Sequence, residues 1–129
     1  MAEVIWTRRA QELKNRILLY GLVTFGETSA KKLDGLFDRY SIILSNNPYI
    51  GREEQQLKGL GAHDYRSILI HKNYRLVYRV DESSTEKKIL IVYVLDTRSD
   101  PETLAERIRD SVANSSDAGH TTHTKKVEP

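Results

Sequence analysis

Cysteine is absent from all 129 residues, which excludes disulfides, thiolate zinc centres and cysteine nucleophiles. Long apolar runs are absent as well, and nothing approaches the roughly 20 residues that a membrane-spanning helix requires. The opening Met1-Ala2-Glu3-Val4-Ile5-Trp6 has no basic stretch followed by an apolar one, so no secretory leader is expected and the expected compartment is the cytoplasm. No glycine-rich phosphate loop, serine-nucleophile motif or internal repeat occurs. Asp117, His120 and His123 have a spacing that could reach a metal, but they sit in a polar tail without a rigid scaffold, so neither a metal nor a cofactor is expected.

What the chain does contain is one domain's worth of ordinary globular sequence, 39% hydrophobic and 29% charged. The net charge of +2 is uninformative, but its distribution is not. Residues 1–80 carry 13 basic and 8 acidic side chains, residues 81–129 carry 7 and 10, and the stretch 58–80 alone has five basic against one acidic. Such a concentration can attract phosphate or an acidic protein surface, and it also arises on solvated strand faces.

Glu3–Trp6 is a short β-prone run, and Thr7 is suited to cap a following helix. Ala10, Leu13, Ile17 and Tyr20 then recur at helical spacing, with Gly26 as a stop. A second helix, capped by Thr28 or Ser29, carries Ala30, Leu33, Phe37, Tyr40 and Leu44 and ends at Asn46-Asn47-Pro48. Two such helices joined by a few residues make an antiparallel hairpin. The period then changes: residues 65–71 and 74–81 read as strands joined tightly at Lys72-Asn73, and Ile89–Leu95 reads as a central strand covered on both faces. Asp100-Pro101-Glu102 opens a last helix through Leu104, Ile108 and Val112. The expected organisation is a domain over 1–112 and a disordered polar tail over 113–129.

A two-residue loop at Lys72-Asn73 sets His71 opposite Tyr74, Ile70 opposite Arg75, Ile68 opposite Val77 and Arg66 opposite Arg79. Arg66, Arg75 and Arg79 would then share a face, where an anion could compensate two facing guanidiniums. Surface acids such as Asp64 or Glu86 could equally do so. His63 and His71 flank the first long strand, and a structural or solvent-facing role is expected for both. Tyr65, Tyr74, Tyr78 and Tyr93 are expected to pack in the sheet core rather than stack on bases.

Several motifs in order resemble the RelE/ParE superfamily of toxins from bacterial type II toxin–antitoxin modules. They are Val4-Ile5-Trp6-Thr7 with Ala10, then Asn47-Pro48-Tyr49-Ile50-Gly51-Arg52, then Leu57-Lys58-Gly59-Leu60. The most specific are Asn73-Tyr74-Arg75-Leu76-Val77-Tyr78-Arg79-Val80 and the run Ile91–Pro101. Together they span roughly residues 3–110. The resemblance implies an α+β fold: an N-terminal helical hairpin packed on a twisted antiparallel sheet, with a short C-terminal helix. It also implies neutralisation by a cognate antitoxin; from the charge distribution, an antitoxin segment rich in Asp and Glu, or one carrying an apolar helix, is expected to cover the sheet or the helical hairpin.

Function divides within the superfamily: ParE-like members poison DNA gyrase, whereas RelE-like members cut mRNA on the ribosome. Cutting RNA through its own 2′-hydroxyl needs a base, cationic support for the phosphorane and an acid for the leaving oxygen. By resemblance, Arg75 falls at the nucleases' phosphate-binding arginine, Arg98 at a residue after the last central strand, and Arg66 at a lysine. Ile68 and Leu104 replace a second lysine and a tyrosine. Where some relatives use a glutamate base, Gln55 and Gln56 stand here, with Glu54 just outside; a terminal histidine and tyrosine become Thr97 and Arg98. Arginine supports an anion but is a poor general base. The leading expectation is therefore a ParE-like gyrase inhibitor that binds through Arg66, Arg75, Arg79, Arg98 and Lys58. The alternative is an mRNA interferase, with Arg75 and Arg98 as catalytic residues, the ribosome and mRNA as partners, and Glu54 or His71 as base. A third reading is an inactive family member kept as a binding module.

Overall fold

The computed structural model describes residues 1–57, 64–99, 106–110 and 121–125, the last of these as backbone. In chain order come β1 (Glu3–Thr7), α1 (Arg8–Phe25), α2 (Glu27–Asn46), β2 (Arg52–Glu53), a 3₁₀ turn (Gln55–Leu57), β3 (Tyr65–His71), β4 (Tyr74–Asp81) and β5 (Lys88–Asp96). A helical turn covers 106–110 and β6 covers Thr121–Lys125. Lys58, Gly59, Leu60, His63 and residues 100–105 lie outside the described residues, as do Val112 and Asp117.

Local chemistry sets the helix boundaries. Thr7 accepts the Ala10 amide at 3.2 Å and caps α1, and Gly26, with φ at 95°, ends it without the clash a side chain would meet. α2 starts at once at Glu27, before the expected caps Thr28 and Ser29, because Gly26 itself serves as the N-cap. Glu27 places an acid in the first turn, where the helix dipole favours it.

The sheet order is β2-β3-β4-β5-β1-β6. Pairing from β2 to β5 is antiparallel, as expected, but β1 runs parallel to β5, so the sheet is mixed. Parallel neighbours need a long connection, which everything between Thr7 and Lys88 provides. β6 lies antiparallel to β1, Val4 opposite Lys125, although this stretch was expected within the disordered tail. An edge strand's unpaired amides and carbonyls are a template for such pairing, and threonines suit it.

The helical hairpin covers one face. Trp6 meets Phe37 edge to face at 5.8 Å, and Val4, Ala10, Leu44, Leu76, Tyr78, Ile89 and Ile91 are buried with them. Ala2 is pinned to the end of α2 by its amide on the Ser45 carbonyl, 3.0 Å, and by the Ser45 hydroxyl donating back. The other face buries Leu57, Tyr65, Val77, Leu90 and Val92, with Ile108 from the 106–110 turn over them. β5 is thus covered on both faces, and all four strand tyrosines pack inside.

The β3–β4 hairpin departs from the expected register. His71 faces Tyr74, but Leu69 rather than Ile70 faces Arg75, so Ile70 is a bulge and every pair beyond it slips by one. Arg66 therefore faces Tyr78 and Arg79 faces Tyr65, which corrects the expected Arg66–Arg79 pair. The slip has a packing cause. A regular register would put Ile68 and Ile70 on the face of Arg75 and Val77; the bulge puts them with Tyr74, Leu76 and Tyr78, under the helices.

Candidate functional site

Three clusters take up the described arginines of interest. The first lies on the sheet face away from the helical hairpin. Arg75 Nε donates to the Ser67 hydroxyl at 2.8 Å, and Ser67 donates in turn to Glu54, which also accepts from Arg52 Nε at 3.2 Å. Ser67 is fully buried and faces Arg52 across the β2–β3 ladder, and its hydroxyl links β3 to Arg75 of β4 and to Glu54, the residue after β2. Burial, and then the Arg52 charge, push the Arg75 guanidinium below its ordinary value, while Glu54 opposes them. Arg79 shares this face farther along β4, opposite Tyr65.

Arg66 is held apart on the other face. It donates to the carbonyls of Gly51 at 2.9 Å and Tyr49 at 3.3 Å, pairs with Glu53 at 3.6 Å and lies 5.3 Å from the Tyr49 ring centre. Its role is to clamp the loop between α2 and β2. Beside it, the Tyr78 hydroxyl accepts the Gly51 amide at 2.9 Å and donates to the Pro48 carbonyl at 2.8 Å. A Cβ on Gly51 would sit 2.6 Å from that hydroxyl, so only glycine allows this approach.

The third cluster is at the end of β5. Asp96 takes Arg98 through two side-chain bonds, 2.9 and 2.8 Å, and accepts the Arg98 amide at 2.9 Å. These bonds lower the Asp96 carboxyl and raise the Arg98 guanidinium. The turn rests on the β3–β4 loop through Thr97, whose amide reaches the Asn73 carbonyl at 2.8 Å and whose hydroxyl reaches Lys72 at 2.9 Å. An open cleft of about 370 Å³ runs from this turn along α1.

Arg75 and Arg98, expected in one anion-seeking patch, thus belong to different clusters: Arg75 feels Arg52 and Glu54, Arg98 feels Asp96 and Tyr74. The bulge places Arg66 on the opposite face from Arg75, whereas Arg75 and Arg79 share a face; Lys58 lies outside the described residues. His71 is absorbed by the hairpin turn, its Nδ1 accepting the Asn73 amide at 3.2 Å and its ring 5.8 Å from Tyr74. Sequence reasoning missed Arg52 and Ser67. Arg52 ends a motif with no role attached to it, and Ser67 lies in a strand run where nothing marks a lone serine. Among the described residues no group of three or more His, Asp or Glu could hold a metal ion, and no helix is long and apolar enough to cross a membrane.

A helical hairpin over a mixed sheet, with Arg66, Arg75 and Arg98 held by carbonyls, the Ser67 hydroxyl and carboxylates, defines an α+β domain. Residues 4–101 match the family described as ParE toxin of type II toxin-antitoxin system, parDE, and the chain belongs to that family, within the RelE/ParE superfamily. Membership implies a cognate antitoxin as partner. A comparison with curated proteins found no match.

Proposed function

We propose that this chain arrests growth as a protein inhibitor of DNA gyrase, released when its antitoxin is lost. The separation of Arg75 from Arg98 carries the reading. A ribonuclease would need cations on the scissile phosphate together with a proton acceptor and a proton donor. Here Arg98 is neutralised by Asp96 and Arg75 is engaged by Ser67. Purified chain added to gyrase is expected to block supercoiling, and transcripts from induced cells are expected to stay intact. Normal supercoiling at saturating protein would refute the proposal.

One observation favours the ribosome-dependent mRNA interferase as a second reading. Glu54 and Arg75 meet through one hydroxyl, which sets a carboxylate base beside a phosphate-binding cation. Primer extension on translated mRNA separates the two. Codon-aligned cuts abolished by Arg75→Ala or Glu54→Gln would establish the nuclease.

A further inference from the structure

Without β6, β1 would be an edge of the sheet, and the direction of each β1 amide shows what β6 covers. The Glu3 amide donates to the Lys87 carbonyl at 3.3 Å, so Glu3, Ile5 and Thr7 turn their amides and carbonyls to β5. Ala2 turns its own the other way, to Ser45. By the same alternation Val4 and Trp6 face outward, where Lys125 and His123 stand opposite them. The window is short. The Ser45 contacts close it at Ala2 and α1 closes it at Arg8, which leaves Glu3–Thr7, five residues, the length of β6. Bare, this edge invites pairing: Glu3-Val4-Ile5-Trp6-Thr7 is β-prone, carries a single charge and pairs with β5 without a bulge. β6, Thr-Thr-His-Thr-Lys, has no large apolar residue to bury and is regular over only three rungs before the register breaks between Trp6 and Thr7. A strand held by so few main-chain bonds opens more readily than the core strands.

We propose that residues 121–125 are a displaceable guard over the β1 edge, and that the same edge, once uncovered, pairs antiparallel with β1 of a second copy of this chain. The segment is self-complementary about Ile5. A two-fold axis there sets Ile5 opposite its equivalent, Val4 opposite Trp6 of the other copy, and Glu3 opposite Thr7. Val4 and Trp6 are the residues whose amides and carbonyls point outward, so each Val4–Trp6 rung exchanges both of its main-chain bonds. No like charges face one another in this register, since Glu3 is the only charged residue of β1. The inference goes beyond the toxin reading and holds whichever cellular target is right.

Proline substitutions in the full-length chain test this, because alternate β6 amides have different duties. His123 and Lys125 turn theirs to β1, whereas Thr124 turns its own away from the sheet, where proline is tolerated. His123→Pro is therefore expected to release the strand and Thr124→Pro to leave it in place. Hydrogen exchange resolved to single residues, at about 2 µM chain, reads the edge: the Val4 and Trp6 amides should lose protection about 100-fold in His123→Pro, with Ile5, which faces β5, unchanged. Analytical ultracentrifugation from about 2 to about 200 µM should show His123→Pro forming a dimer that the native chain and Thr124→Pro do not form. In that dimer Val4 and Trp6 should regain protection, and excess synthetic peptide of residues 119–127 should return the variant to monomer. Circular dichroism checks folding, and Lys125→Pro, at the end of the strand, takes the place of His123→Pro if that variant does not fold. Fast exchange at Val4 and Trp6 in the native chain, a released edge that stays monomeric at every concentration, dimers in both His123→Pro and Thr124→Pro, or dimers in which Val4 and Trp6 still exchange freely would each overturn the inference.

Discussion

Removing one oxygen, by Tyr78→Phe, tests how the loop that shapes the first cluster is held. The substitution changes no apolar burial, since the ring is fully buried either way. It strips the Gly51 amide of its acceptor and the Pro48 carbonyl of its donor. The Gly51 amide is buried, and leaving such a group without a partner costs about 1–3 kcal/mol; the part-buried Pro48 carbonyl adds less, for about 3 kcal/mol together. For a chain of this length each kcal/mol lowers the melting temperature by roughly 3–5 °C, and a fall of roughly 10–15 °C is expected by calorimetry. The pH dependence adds a second reading. Burial pushes the phenols of Tyr78 and Tyr65 above their ordinary value. Above pH of about 10 the unfolded chain releases these protons while the folded chain keeps them, so stability is full below that pH and is lost as pH rises through the folded values. Tyr78→Phe removes one of the two groups and should flatten the alkaline loss. A melting shift below about 2 °C with an unchanged alkaline limb would refute the hydroxyl clamp.

Gly51→Ala places a Cβ 2.6 Å from the Tyr78 hydroxyl and 2.8 Å from the Ser67 carbonyl, and overpacking of this kind should cost about 2 kcal/mol or more in urea unfolding. Adding Tyr78→Phe should rescue little of it, because the backbone carbonyl stays. Asp96→Asn should release Arg98 at a cost below about 1 kcal/mol, since the pair is solvent-exposed. The native Asp96 carboxyl is held low, first by the Arg98 hydrogen bond, so its contribution is present above the ordinary carboxylate range and lost as pH falls through the lowered value. An NMR titration placing Asp96 at an unperturbed value would mean that the pair is not formed.

Much of the fold was legible because its signals were local and agreed with one another. Thr7 and Gly26 bracket α1 by capping chemistry, and the apolar run of β5 announced a strand covered on both faces. The parallel pairing of β1 was not legible, since a short β-prone run says nothing about the direction of its neighbour. Tyr20 continued the α1 stripe, yet it is 55% exposed, because helical periodicity records which side chains align and not where the sheet beneath them ends. The arginines divided the same way: their residue type was readable, but their company was set by Ser67, which no motif contains, and by Gly51 and Asp96, whose motifs do not say which arginine they will hold.

The bulge at Ile70 decides more about the site than any single charge, and a deletion tests it cleanly. With Ile70 removed, Leu69 and His71 become neighbours, and the pairs Leu69–Arg75 and His71–Tyr74 become successive rungs of a regular two-residue hairpin. All pairs upstream should then stay as they are, with Arg66 opposite Tyr78 and Ser67 beside Arg75. The cost is the buried Ile70 side chain, about 2–4 kcal/mol. Had the native hairpin been regular, the same deletion would move every upstream pair by one residue. Cross-strand NOEs from Arg66 therefore discriminate: contact with Tyr78 in both proteins supports the bulge. Contact with Arg79 in the native chain that shifts to Tyr78 on deletion would overturn the register, and with it the assignment of Arg66 and Arg75 to opposite faces.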